Sequence, residues 1–205
     1  MTVLVVDYGM GNLHSVSRAL ESLGAVVQVS SDPVAIANAE RVVLPGVGSF
    51  AAAMSKLHER GWVEPLRRAA VDDHLPFLGI CLGMQLLAER GVEGTEVEGL
   101  GLVAADVVRL EPRTSLERVP HVGWNDVKLL RDDPMFTGVA QGSDFYFVHS
   151  YRMKLREEGD CIAEAEYCGG FPVAVRRDNV VGVQFHPEKS SRVGMRVLQN
   201  FVTLL

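Results

Sequence analysis

Short apolar runs alternate with helically spaced apolar positions through the first ninety residues. Thr2–Asp7 has the unbroken apolar character of a buried strand. Asn12–Leu23 places Leu13, Val16, Ala19, Leu20 and Leu23 on one helical face, and Gly24 stands where a helix ends. Ala25–Val29 reads as a second strand, Val34–Asn38 as a short helix, and Arg41–Leu44 as a third strand stopped by Pro45-Gly46. Helical spacing returns over Phe50–Leu57 and Trp62–Asp73. Phe77–Ile80 is a further buried strand, and Leu82–Glu89 its helix. Strands this apolar, joined by helices, predict a parallel sheet covered on both faces.

From about Gly99 the period shortens to that of strands. These are expected at Ala105–Leu110, His121–Leu129, Asp144–Val148, Ile162–Glu166, Val173–Arg176 and Val180–Gln184. A last helix from Arg192 to Leu204 puts Val193, Val197, Leu198, Phe201 and Leu204 on one face. The acidic, glycine-rich stretch Glu93–Gly99 reads as a mobile loop too short to divide domains. The pattern predicts an α/β fold in which a doubly wound, mostly parallel central sheet carries an antiparallel extension. It predicts a single domain over residues 1–205.

Composition narrows the partners. A chain of 205 residues suits one well-filled core. A net charge of −6 without any basic tract argues against nucleic acid. No apolar run approaches the ~20 residues needed to span a bilayer, so no membrane partner is expected. The first seven residues read as a strand and not as a signal peptide. With three cysteines, an odd count at no framework spacing, a reduced cytoplasmic setting is expected. Cys161 and Cys168 read as small buried hydrophobes. No histidine, cysteine and carboxylate set has ligand spacing, so neither a metal nor another cofactor is expected. His14, His58 and His74 are expected to face solvent.

Chemistry concentrates in two segments. Gly79-Ile80-Cys81-Leu82-Gly83 holds a cysteine between glycines where a strand meets a helix. That is the layout of a nucleophile elbow, with sulfur in place of oxygen. The helix N-terminus favours the thiolate, the attacking species. Gln184-Phe185-His186-Pro187-Glu188 supplies His186 as general base, with Glu188 two positions on to orient it if the segment is extended. Both segments fall just past strand ends, where ligands sit in open α/β sheets. Cysteine, histidine and acid together point to acyl transfer.

Thioester formation passes through an oxyanion that needs fixed N–H donors. The Leu82 amide, next after the nucleophile, is one natural donor. The turn Pro45-Gly46-Val47-Gly48-Ser49-Phe50 offers another from Val47 or Gly48, and reads equally as an ordinary strand-to-helix turn. Asp7-Tyr8-Gly9-Met10-Gly11-Asn12 lacks the third glycine of a dinucleotide loop. His121-Val122-Gly123-Trp124-Asn125 and Tyr146-Phe147-Val148-His149-Ser150-Tyr151 are polar-aromatic clusters that fit sheet packing and an interface hot spot alike.

The elbow, extended through Met84-Gln85-Leu86-Leu87, and the His186-Pro187-Glu188 run resemble the class I (triad) glutamine amidotransferases. The four other segments just quoted resemble, within that family, the glutaminase subunits of imidazole glycerol phosphate synthases, from residue 2 to the C-terminus. The resemblance implies glutamine as substrate and glutamate plus ammonia as products. It implies a triad of Cys81, His186 and Glu188, with Val47, Gly48 and Leu82 at the oxyanion. Gly46, Gln85, His149, Ser150 and Tyr151 would bind the substrate. It also implies a heterodimer with a (β/α)₈-barrel cyclase that takes the ammonia through its core, with Asn12, Trp124, Asn125, Tyr146 and Lys189 at or near the contact. The cyclase product would be imidazole glycerol phosphate for histidine synthesis, with a purine precursor released. The competing expectations are a glutaminase for pyridoxal phosphate, anthranilate or formylglycinamidine synthesis, a γ-glutamyl hydrolase or peptidase, and a non-catalytic relative.

Overall fold

A computed structural model describes residues 1–205. The first half alternates strands and helices: β1 (Thr2–Val6), α1 (Leu13–Ser22), β2 (Val26–Ser30), a 3₁₀ turn at Pro33–Asn38, β3 (Arg41–Gly46), α2 (Phe50–Glu59), α3 (Val63–Val71), β4 (Phe77–Cys81) and the short α4 (Leu82–Leu86). Nine further strands follow: β5 (Ala88–Glu93), β6 (Thr95–Glu98), β7 (Val103–Arg109), β8 (His121–Leu129), β9 (Ser143–His149), β10 (Tyr151–Leu155), β11 (Cys161–Ala165), β12 (Phe171–Arg177) and β13 (Val180–Val183). Helix α5 (Ser191–Leu204) closes the chain. No helix is long and apolar enough to cross a membrane.

The main sheet has nine strands in the order β2-β1-β3-β4-β13-β12-β11-β8-β9. From β2 to β13 neighbours run parallel, and from β13 outward they run antiparallel. The expected parallel sheet with its antiparallel extension is therefore present. Strand alternation sends Val3 and Val5 to one face and Leu4 and Val6 to the other. The core beneath α1 and α5 holds 30 buried residues and the one beneath α2 and α3 holds 29, so both faces are covered equally.

Three features depart from the sequence reading. The helix after Cys81 stops at Leu86 instead of Glu89, because residues 100–103 capture the carbonyls of Leu86, Leu87 and Ala88. The acidic stretch is not a loop: Glu93 pairs with Thr95 and Arg90 with Glu98 around Gly94, at φ +82°. β10, which sequence reading did not assign, pairs with β7. These strands form a second sheet, β10-β7-β5-β6, packed on the α2 side. It presents the Glu93 carboxylate to the N-terminus of α2, where Glu93 Oε2 accepts the Phe50 N–H at 2.8 Å.

Candidate active site

The nucleophile elbow forms because two backbones must touch. Cys81 sits at φ +55°, between β4 and α4. A Cβ on Gly83 would lie 1.8 Å from the Leu44 carbonyl oxygen, and one on Gly79 would lie 2.6 Å from the Gly83 carbonyl oxygen. Only glycine permits so close a crossing of β3 and α4. The left-handed conformation of a non-glycine residue is costly and is held here by the sheet on both sides.

Neighbouring strands bring the other groups to the same sheet end. β3 pairs beside β4 with Gly46 opposite Cys81, which sets residues 46–48 against the elbow. On the far side β13 pairs Val183 with Ile80, so residues 184–188 run past the same edge. His186 Nδ1 lies 2.9 Å from Glu188 Oε1, and the two side chains are only 3% and 1% exposed. The contact does not arise from an extended segment. Pro187–Lys189 is a 3₁₀ turn, which folds Glu188 back against the ring. Ser190 secures the turn: its hydroxyl donates to the His186 carbonyl at 2.6 Å and accepts the Tyr146 N–H at 3.0 Å.

Burial opposes protonation of His186. The neighbouring Cys81 sulfur and then Glu188 outweigh it and raise the imidazole to about 9. His186 Nε2 is buried and makes no hydrogen bond in this conformation. The Cys81 sulfur lies 3.9 Å from the Val148 carbonyl oxygen and 3.8 Å from Gln184 Nε2.

A pocket of about 300 Å³ opens over these groups. It is lined by Val47, Gly48, Cys81, Leu82, Gln85, His149, Ser150, Tyr151 and His186. Thus every candidate catalytic, oxyanion and substrate residue is at the pocket except Glu188, which stands behind His186, and Gly46, which lies under the turn. The Val47 and Gly48 amides donate to no protein group. Gln85 Nε2 donates to the Tyr151 carbonyl and to Gln184 Oε1, both at 2.9 Å, so its own oxygen stays available as an acceptor. His149 Nδ1 donates to the same Tyr151 carbonyl at 2.8 Å, and His149 Nε2 meets His121 Nδ1 at 3.1 Å.

Pocket residues absent from the sequence reading are Glu93 and Pro120. Gln184, which joins Gln85 to the sulfur, was also not singled out. Gln184 stands directly after β13 and two positions before His186, a signal that was available. Glu93 was hidden because its segment looked like loop.

The candidate partner residues lie elsewhere. Trp124 is opposite Tyr146 on β8 and β9, with rings edge to face at 6.0 Å. Lys189 Nζ stands 5.9 Å from the centre of the Tyr146 ring. Trp124 is 52% exposed, and the paired Val122 and Val148 beside it are exposed as well, an apolar surface on the outer strands. Asn125 Nδ2 is 3.5 Å from His121 Nε2, and Asn12 caps α1 by accepting the Ser15 N–H.

Burial lowers His149 to about 3 and His121 to about 4, so both rings are neutral in the folded protein near neutral pH. The unfolded chain protonates them below about 6.5. Their contribution to stability is therefore complete above that pH and shrinks as pH falls toward the folded values. His186 has the opposite sign: its contribution is complete below about 6.5 and is lost as pH rises through about 9. The urea midpoint is expected to fall between pH 6.5 and 4, and to fall less in His149→Gln. An equal fall in the variant would contradict the neutral pair.

The glutamine amidotransferase class-I family model matches residues 4–205. The imidazole glycerol phosphate synthase subunit HisH of Moorella thermoacetica is 48% identical over 99% of this chain and 95% of its own. The Geobacillus thermodenitrificans subunit HisH is also 48% identical, over 100% and 97%. The HisH 1 subunit of Campylobacter jejuni is 43% identical over 98% and 100%. Among solved structures, PurLQS from Thermotoga maritima matches at a TM-score of 0.76 over 99% of this chain and 98% of that one. Its 20% identity supports the fold alone. By the span of the family match and the identity of its relatives, this chain belongs to the class I glutamine amidotransferases.

Proposed function

We propose that the chain, as one domain, is the glutaminase subunit of an imidazole glycerol phosphate synthase of histidine biosynthesis. In this reading it works in the cytoplasm, as a heterodimer with a barrel cyclase. The observation that carries the chemistry is buried Cys81 and His186 lining a pocket sized for an amino acid, with Glu188 behind the ring. The partner rests on the full-length similarity to HisH subunits.

The Cys81 sulfur attacks the side-chain carbonyl carbon of glutamine, and His186 takes the thiol proton. The negative oxygen of the tetrahedral intermediate is received by the Leu82 amide and by Val47 or Gly48. His186 returns its proton to the nitrogen, ammonia leaves, and a glutamyl thioester remains on Cys81. Water, deprotonated by His186, then cleaves the thioester to glutamate. Glu188 holds the imidazole in place and supports its charged form. The Gln85 oxygen and the Glu93 carboxylate suit the substrate ammonium, and the Ser150–Tyr151 segment faces its carboxylate. Released ammonia is a nucleophile only while unprotonated, so passage through a dry protein route preserves it for the cyclase. The exposed Val122, Trp124 and Val148 surface, flanked by Tyr146 and Lys189, is the proposed docking face.

Ammonia release from glutamine tests the proposal. The purified chain is expected to turn over slowly alone, and at least about tenfold faster with the barrel cyclase and its nucleotide ligand, a coupling of ordinary size. High turnover by the isolated chain, unchanged by the cyclase, would contradict it.

A further inference from the structure

We infer that His121, which does not line the pocket, is a positioning residue for glutamine binding that acts by holding the ring of His149; this rests on the glutaminase reading. The two histidines are directly opposed on β8 and β9, and both are buried. The Tyr151 carbonyl can only accept, so the proton of His149 must be on Nδ1. A neutral ring then presents a lone pair at Nε2, and its partner there is His121 Nδ1, 3.1 Å away, which must donate. His121 Nε2 is left as an acceptor toward the Asn125 amide nitrogen. One carbonyl thereby fixes the proton on two rings and the direction of each hydrogen bond between them.

The same carbonyl takes Gln85 Nε2, Gln85 leads to Gln184, and Gln184 to the Cys81 sulfur. A row of polar groups thus leads from His121 past the pocket to the nucleophile. His121 is stacked between Phe147 and Tyr167, with ring centres at 4.9 and 4.0 Å. Packing alone is served there by phenylalanine, which would fill the slot between two rings. What phenylalanine lacks is the N–H that His149 Nε2 requires. Without that donor, a buried acceptor is stranded, and His149 relieves it by turning its ring. The turn releases the Tyr151 carbonyl and loosens the segment that faces substrate. The sulfur and His186 keep their places, so binding suffers more than chemistry.

His121→Phe and His121→Asn separate this role from packing. In long-range ¹H–¹⁵N spectra, His149 is expected as the Nδ1–H tautomer in the wild-type chain, and its Nε2 resonance is expected to shift in His121→Phe as the hydrogen bond to it is lost. In the complex with the cyclase, His121→Phe is expected to raise the glutamine KM about tenfold, with kcat within about threefold. His121→Asn, which keeps an N–H near the Nδ1 position, is expected to restore both readouts toward wild type. An unchanged His149 Nε2 resonance with unchanged KM in His121→Phe would overturn the inference, as would a loss wholly in kcat. The spectrum needs no turnover, so its failure is distinct from failure of the glutaminase reading.

Discussion

Cys81→Ala is expected to abolish glutamine hydrolysis, lowering kcat at least about 10⁴-fold, while the chain stays folded. Loss of the nucleophile from an acyl-transfer triad on another fold costs about 10⁶, with only binding and oxyanion contacts left. The present site gives the variant a second signature. The Cys81 sulfur is the foremost influence raising His186 to about 9, against the burial that lowers it. Without the sulfur, Glu188 alone holds the ring up, so the His186 titration is expected to move down. NMR titration of His186 checks this independently of turnover. A variant that retains even a few per cent of wild-type ammonia release would show that Cys81 is not the nucleophile. Alanine is the right replacement because it removes the sulfur while keeping the Cβ that the elbow already holds.

Gly83→Ala is expected to cost at least about 3 kcal/mol of stability, at the upper end for overpacking, and to cripple activity in any chain that folds. The added carbon meets the Leu44 backbone oxygen at 1.8 Å, and neither partner is a flexible side-chain end that can swing aside. β3 and α4 must separate. β3 leads directly into the Val47 and Gly48 amides and α4 carries the Leu82 amide, so one methyl group disturbs both proposed sources of oxyanion donors. Gly159→Ala is the control, because its added carbon meets nothing within 4 Å. It is expected to change stability by less than about 0.5 kcal/mol. Urea unfolding of both variants, with ammonia release in parallel, reads the contrast. Equal stability in the two would refute the steric account of the elbow.

The parallel half of the sheet was legible because its strands are apolar on both sides and its helices keep strict spacing. Val3 through Val6 serve two cores at once, which leaves an unbroken run in the sequence. The elbow was legible too, since paired glycines around a cysteine at a strand end have few other uses. The second sheet was not. In β5 and β6 the charges of Arg90, Glu93, Glu96 and Glu98 mask any alternation, and β10 buries only Met153 fully. The propensity of Leu82–Glu89 for helix was overridden by the backbone pairing of residues 100–103. That unseen sheet is what delivers Glu93 to the pocket. Glu188 was found with its partner right and its conformation wrong: Pro187 opens a 3₁₀ turn, so the carboxylate reaches His186 by folding back. The relation of His121 to His149 depends on strand pairing between residues 28 apart, which no local spacing reveals.

The most direct test of the central claim is to treat the purified chain with a glutamine analogue that carries an electrophile at its side-chain carbonyl, then map the modified peptide by mass spectrometry. Cys161 and Cys168 serve as internal controls, since burial raises both thiols, Cys161 to about 11. Modification of Cys81 alone, suppressed by excess glutamine and slowed in His186→Ala, is the predicted result. Labelling spread over the three cysteines, or labelling of Cys81 that glutamine does not suppress, would contradict a glutamine site built on this thiol.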